Sequence, residues 1–543
     1  MGTGVFMFMR RVCFLAFSVA VIAVGAQGAE SDLRLVEASA RQEWQTVRVL
    51  LSESADVNVQ RADGATALLW AAHWDDFDTV ARLLEAGADA NAADDHGVTP
   101  LMRASENASD EVVEALLDAG ADANATQTSG LTALMIAART GSRDLVRLLL
   151  SYDADINAAT HETGVTALMW AVQAPHPDIV HVLLETGAEV EVSSAKGFTP
   201  LLFAARNGDI PLARTLIAAG ADVNGTGSDG THPLPLSIVS RHDGFAMFLL
   251  EEGADPNGSI HGVSALHAAV GRVSTWLAGW YRERGMRGTE VSGGGRLGLD
   301  PNRRLPLVKE LLARGADPNA RITRSTVILG YLARPRRGAF EQNSVGTGDV
   351  RGATPLWVAS FSANGGGLFG NDSEYRFESS PEILRTLLAA GANPDLSTDD
   401  LTTPLMMAAG LGYRSYQPHT PRGRRSPLVE EAVKVLVEAG AEINAVNEAD
   451  FTALHAAAFR GLNEVVQYLV EQGADIDARD FRGRTAFRIA EGAKQSFQFQ
   501  AFPETADLLR SLGANTRLGI PGTVHERADR EVVQENEERS QSR

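Results

Sequence analysis

Few of the residues able to do chemistry in this 543-residue chain stand where chemistry would need them. Gly293-x-Gly295-x-x-Gly298 spells a dinucleotide fingerprint, in which glycines let the backbone approach a pyrophosphate at a helix start. No buried-strand pattern precedes it and no helical pattern follows, so the string reads as a coincidence. His176 and His181 flank an expected helix start five residues apart, a spacing that does not put two imidazoles on one face for a metal. Asp94-Asp95 and Asp399-Asp400 fall at turn positions and do not read as a carboxylate dyad. The sequence holds no Gly-x-x-x-x-Gly-Lys-Ser/Thr loop, no His-Glu-x-x-His pair and no Gly-x-Ser-x-Gly elbow. Its one cysteine, Cys13, lies in an N-terminal apolar run, so thiolate chemistry is not expected of the remainder. The expectation is a protein that is not an enzyme, with no cofactor and no metal.

Arginine and aromatic side chains, by contrast, are concentrated. Four stretches, 271–306, 321–351, 361–381 and 413–427, hold five of the seven Tyr and 18 of the 45 Arg. The first, second and fourth each carry a net charge of +4 in a chain whose formal charge is −20. Trp276, Trp280, Tyr281, Arg303, Arg304, Tyr331, Arg336, Arg337, Tyr413, Tyr416, Arg422, Arg424 and Arg425 are the partner-binding candidates there. Trp, Tyr and Arg dominate binding hot spots, and guanidinium groups grip carboxylates in a two-pronged geometry. Three readings stay open. The stretches form a lobe for a protein partner of acidic character, or a site for a small anionic ligand or glycan (an unrecognised enzyme included). Or they are solvated insertions, whose Gly293-Gly294-Gly295 and Gly365-Gly366-Gly367 runs only add reach.

What must position these residues is a repeat. Ala55-Asp56-Val57-Asn58 returns as Ala88-Asp89-Ala90-Asn91, Ala121-Asp122-Ala123-Asn124 and Ala154-Asp155-Ile156-Asn157, with degenerate versions on to Ala514. The commonest step is 33 residues, and the longer ones are 62, 76, 49 and 40. Half a period away stands Thr66-Ala67-Leu68, then Thr99-Pro100-Leu101, Thr132-Ala133-Leu134 and later copies. Thr caps a first helix and Pro is tolerated at its first position, where the missing N–H has no partner to lose. Small pairs such as Ala71-Ala72 and Ala137-Ala138 let neighbouring helices approach. A second helix follows with aliphatics at helical spacing, as in Val80, Leu83 and Leu84, and Gly87 and its counterparts end it. Two interleaved markers at one period specify stacked units. By that grammar 271–306, 361–381 and 413–427 interrupt the turn between the two helices of a unit. Stretch 321–351 falls between units, with a hairpin expected around Thr326-Val327-Ile328-Leu329 and Val345-Gly346.

These motifs resemble the ankyrin repeat, a turn followed by a helix beginning Thr-Pro-Leu-His, a second helix and Gly-Ala-Asp-x-Asn. Ser264-Ala265-Leu266-His267 and Thr452-Ala453-Leu454-His455 come nearest to the first motif. The resemblance covers roughly residues 32–516, about twelve units of the 33-residue period. It implies an all-α fold, an α-solenoid of about twelve stacked ankyrin-like helix-turn-helix repeats with inserted loops. It also implies contacts through finger tips and the ends of first helices, which adds Trp74, Arg139 and Arg206 to the candidates. Phe198 and Phe451 either join that surface or pack between units, and Trp70 and Trp170 are expected in the core. Ser54 and Asp153 replace the helix-ending Gly, and Pro235 adds a second proline to a first helix. Pro175 and Pro177 crowd a turn, and local distortion is expected at these prolines.

Arg10-Arg11, the apolar run Val12 to Ala26 and the small residues Ala26, Gly28 and Ala29 read as a signal peptide over 1–28. The expected order is then regular repeats over 32–270, insertion-bearing repeats over 271–427, C-terminal repeats and cap over 428–516, and a charged, disordered tail over 517–543. The acidic balance argues against nucleic acid as a partner. No stable membrane span is expected once the signal is removed. The expected product is a protein-binding scaffold of the bacterial cell envelope, periplasmic or secreted.

Overall fold

A computed structural model of the protein describes residues 32–271, 273, 277–283, 301–324, 350–363, 380–411, 426–480, 483–492 and 501–518. The signal peptide, the tail beyond residue 518 and the expected hairpin lie outside the described residues. So do Trp276, Tyr331, Arg336, Arg337, Tyr413, Tyr416, Arg422, Arg424 and Arg425. The chain divides into two compact units, one of Met1–Asn107 with Glu111–Ala121, the other of Ala108–Asp110 with Asp122–Arg543.

Among the described residues the architecture is an all-α solenoid of twelve helix pairs, plus one helix, Ala278–Glu283, that belongs to no pair. The first three pairs are Arg34–Ala40 with Trp44–Ser52, Ala67–His73 with Phe77–Glu85, and Pro100–Glu106 with Asp110–Asp118. The other nine open with first helices such as Ala133–Thr140, Ala167–Gln173, Pro200–Asn207, Pro233–Val239 and Ala265–Val270. Pro355–Ala363, Pro404–Ala408, Ala453–Arg460 and Ala486–Ala490 complete that series. Thr66, Thr99, Thr132, Thr166 and Thr199 each accept, through the side-chain oxygen, the backbone N–H three residues on, at 3.2–3.4 Å. These caps satisfy donors that have no partner inside the helix. The alanine pairs of the first helices are fully buried, while the second helices bury one stripe, such as Val80 and Leu83.

Most successive fingers are tied by one asparagine each, with Glu191, Asp395 and Asp477 accepting the backbone N–H in its place at three of them. In the second unit the Asn124 side chain donates to Asp153 O and accepts the Asp155 N–H, and Asn224 repeats this with Gly253 and Asp255. The tie continues past the extra chain. Asn257 donates to Gly315 O and accepts from Asp317 N–H, 58 and 60 residues away, and Asn319 joins Gly391 and Asn393 across 72 and 74 residues. Residues 271–300 therefore enter between Ala265–Val270 and Pro301–Ala313, the two helices of one repeat, and residues 301–306, expected in the insertion, belong to the second helix.

The expected distortion does not occur at Pro233, Pro235 or Pro177. Pro175 does break the turn pattern, standing where other repeats place a left-handed residue such as Asp75, Gly141, Gly208 or Arg241. Pro233 and Pro235 occupy the first turn of Pro233–Val239, where N–H groups have no intrahelical acceptor, so a missing one costs little. Pro177 begins Pro177–Glu185 for the same reason. Ser54 and Asp153 keep the left-handed conformation of the glycine they replace, with φ of 62° and 58°.

Candidate functional site

In the repeats capped by Thr66, Thr99 and Thr166 the first helix buries the second, third, fifth and sixth residues after the cap and leaves the fourth and seventh, a helical i, i+3 pair, partly exposed. In the other described repeats with a capping Thr the fourth residue is buried. On the first unit this face carries Trp70 and His73, with Trp74 beside them. Trp70 and Trp74 stack at 6.4 Å, and the His73 ring stands edge-on to both, at 5.6 and 4.6 Å. The Arg61 guanidinium lies 5.9 Å from the Trp70 ring, and Trp74 and Phe77 are 40% and 45% exposed. Burial, and then the nearby Arg103 charge, hold the His73 pKa below its ordinary value, so the ring is neutral at neutral pH.

On the second unit the same register holds Trp170, which is half-buried, and Phe203, which is buried at 7% exposure. Arg139 lies over Trp170 at 5.5 Å, and Arg206 lies over Phe203 and Phe198 at 5.5 and 5.7 Å. The carbonyls of both arginines are fixed from the next repeat, by His176 Nε2–H on Arg139 and His242 Nε2–H on Arg206. Each aromatic is thus paired with a cation held at a helix end, an arrangement worth about 0.5–1 kcal/mol at an exposed site. The indole nitrogens of Trp70 and Trp170 are buried and have no hydrogen-bond partner among the described residues. Both tryptophans are half-buried, which corrects their assignment to the core: their position points outward on the first helix, not between helices. Phe198 and Phe451 are buried at 5% and 0% exposure and pack between units.

The described members of the inserted set separate. Arg303 is exposed and forms an ion pair with Asp243 at 3.1 Å. Arg304 is fully buried and donates to Ala269 O and Gly271 O at 3.0 and 3.1 Å, capping the end of Ala265–Val270. Trp280 and Tyr281 are also buried: Trp280 packs 6.2 Å from Phe198 and 5.2 Å from Tyr281. These three therefore serve contacts within the chain and do not form a surface with Arg303. Residues that sequence reasoning missed are Arg61, Phe203, Asp229 and Thr231. The available signal was the recurrence of aromatics at the fourth residue after the capping Thr, in Trp70, Trp170 and Phe203.

Among the described residues no helix is long and apolar enough to cross a membrane, and no group of three His, Cys, Asp or Glu side chains could hold a metal ion.

Two family models match the chain, both described as ankyrin repeats: one over residues 35–127, 119–194 and 188–260, the other over 436–490. Curated relatives match shorter stretches. Alpha-latroinsectotoxin-Lt1a of Latrodectus tredecimguttatus is 31% identical over 179 residues, covering 33% of this chain and 10% of the toxin. Ankyrin repeat and SOCS box protein 16 of Homo sapiens is 33% identical over 138 residues, covering 25% of this chain and 27% of that protein. The chain thus spans only a tenth to about a quarter of these relatives' lengths. A solved structure, the human ASB11 ankyrin repeat domain, is similar at 28% identity with a TM-score of 0.35, covering 40% of this chain and 96% of that domain. With the matched models spanning just over half of its residues and the helix pairs repeating on the same period, the chain belongs to the ankyrin-repeat family.

Proposed function

We propose that this protein is a non-catalytic scaffold that binds a protein partner through the outward face of its first helices. The observation that carries the reading is the pairing of arginines with aromatics on the second unit, Arg139 over the half-buried Trp170 and Arg206 over Phe203 and Phe198. Such a surface offers rigid aromatic area and cations for acidic groups, the chemistry of binding hot spots. Arg10-Arg11 and the apolar run after them support export to a bacterial cell envelope, and the +4 stretches 271–306, 321–351 and 413–427 support a partner of acidic character.

The test is affinity capture from native envelope extract at low and high salt. The baits are the full chain, an Arg139→Ala/Trp170→Ala variant, and a chain whose residues 284–300, 325–349 and 412–425 are replaced by Gly-Ser turns. With only four Lys in the sequence, the trap is a photoreactive or acid-directed linker. One protein held by the full chain and lost from the double variant supports the first-helix face. Loss from the third bait alone moves recognition to the inserted stretches, and no protein held by any bait overturns the scaffold.

A further inference from the structure

The unpaired helix Ala278–Glu283 does not extend the stack; it lies on the binding face of the second unit. Its Trp280 is 0% exposed and sits 6.2 Å from Phe198, which in turn lies 5.1 Å from Phe203. The Trp280 indole N–H donates to Asp229 Oδ2 at 2.8 Å and to Thr231 Oγ1 at 3.2 Å. Tyr281 closes the group edge-on at 5.2 Å. We propose that Phe198, Asp229 and Thr231 form an indole-recognition pocket, and that Ala278–Glu283 is a removable plug displaced by a partner segment that presents a tryptophan.

Three features carry this inference, which rests on the reading of that face as the partner surface. The pocket is built by the repeats themselves. Asp229 is oriented by its own turn, Oδ1 accepting the Thr231 N–H at 3.1 Å and Oδ2 the Thr231 hydroxyl at 2.8 Å, so the acceptor is in place whatever occupies it. The plug is marginal as a helix. Six residues make fewer than two turns, far below the length at which a helix holds itself together in water, so side-chain docking keeps it formed. Finally, the returning chain has an attachment of its own, Arg304 donating to Ala269 O and Gly271 O. One repeat earlier on the same face, Trp170 under Arg139 stays half-exposed, so covering this row is not a requirement of the fold.

The test uses the full chain and a fluorescein-labelled peptide of residues 277–283, Leu-Ala-Gly-Trp-Tyr-Arg-Glu, followed by fluorescence anisotropy. Trp280→Ala should bind the peptide at least tenfold tighter than the wild type. Adding Asp229→Ala, or replacing the peptide's tryptophan by alanine, should remove most of that gain. A folded Trp280→Ala chain that binds the peptide no better than the wild type overturns the plug. Because that variant can fail to fold, hydrogen exchange on the wild type gives a second reading. Amides of 278–283 should exchange at least a hundredfold faster than those of Pro200–Asn207, and equal rates overturn the proposal. Capture separates this idea from the scaffold on which it rests. One protein held equally by wild-type and Trp280→Ala baits keeps the scaffold and overturns the plug. Peptide binding with no protein held by either bait keeps the pocket and overturns the scaffold.

Discussion

Within the second unit, the regular repeats up to Asp255 and the insertion-bearing repeats after it make the same tie between fingers from very different lengths of chain. Asn224 reaches partners 29 and 31 residues ahead, whereas Asn319 reaches the equivalent partners 72 and 74 residues ahead, with similar geometry. Stacking is therefore set by what adjoining surfaces offer and not by the chain between them, and closing a longer loop adds only slowly to the entropic cost. The regions differ instead on the outward face. In the regular repeats an arginine shields a half-exposed tryptophan; where the extra chain enters, Trp280 returns to cover Phe198. Extra chain is tolerated by the ladder and exploited by the face.

The sharpest way to break this comparison is to disturb the contact between neighbouring repeats in the regular region. A Cβ at Gly208 would land on the His242 ring, at a backbone φ of 76°, and displace the hydrogen bond from His242 to Arg206 O. Gly208→Ala should destabilise by about 3 kcal/mol or more in chemical denaturation, through overpacking and strain together. Gly220, with φ of 103° and open space around it, is the control, and Gly220→Ala should cost about 1 kcal/mol from strain alone.

In the insertion-bearing region the comparable probe is pH. His267 Nδ1 accepts the Ser264 N–H, so its proton sits on Nε2, which donates to Ala353 O across stretch 321–351. Burial holds its pKa down to about 4, against 6.5 for the free side chain. The folded value lies below the unfolded one, so the contribution is intact above pH 6.5 and is lost as the pH falls toward 4. The loss is on the order of 3 kcal/mol over that window. Denaturation midpoints between pH 7 and pH 4 should fall steeply for the wild type and less for His267→Gln. Burial also lowers the His455 pKa, with its Nε2–H on Arg484 O, and leaves a residual slope in that variant.

The ladder itself predicts smaller, equal effects. Asn224→Ala and Asn319→Ala should each lose about 1–2 kcal/mol, because each removes two exposed hydrogen bonds to backbone. A markedly larger loss at Asn319 would show that the spanned chain length matters after all. Smallest is a gain: Asp153→Gly relieves a non-glycine residue at φ 58° and should stabilise by about 0.5 kcal/mol, read as a rise in melting temperature.

Much of the fold was legible because its signals are local and repeated. The capping Thr, the alanine pair and the Asp-x-Asn turn each act within a few residues, and the period brings the same residues together in every unit. The candidate face was less legible. Trp70 and Trp170 read as core because a large aromatic amid buried alanines looks internal, yet in these two helices the fourth residue after the cap stays half-buried at the helix edge.

By itself the sequence determined the helix pairs, their caps and the Asp-x-Asn turns, since each depends on short-range hydrogen bonding and a local pattern. Only the tertiary structure decided what the inserted tryptophan and arginine do. Trp280 and Arg304 both looked like surface anchors, yet one donates to Asp229 and Thr231 and the other to Ala269 and Gly271. Those acceptors stand 51, 49, 35 and 33 residues earlier in the chain. No repeat period encodes such pairings, because they form where a non-repeating segment happens to meet a face the repeats have already built.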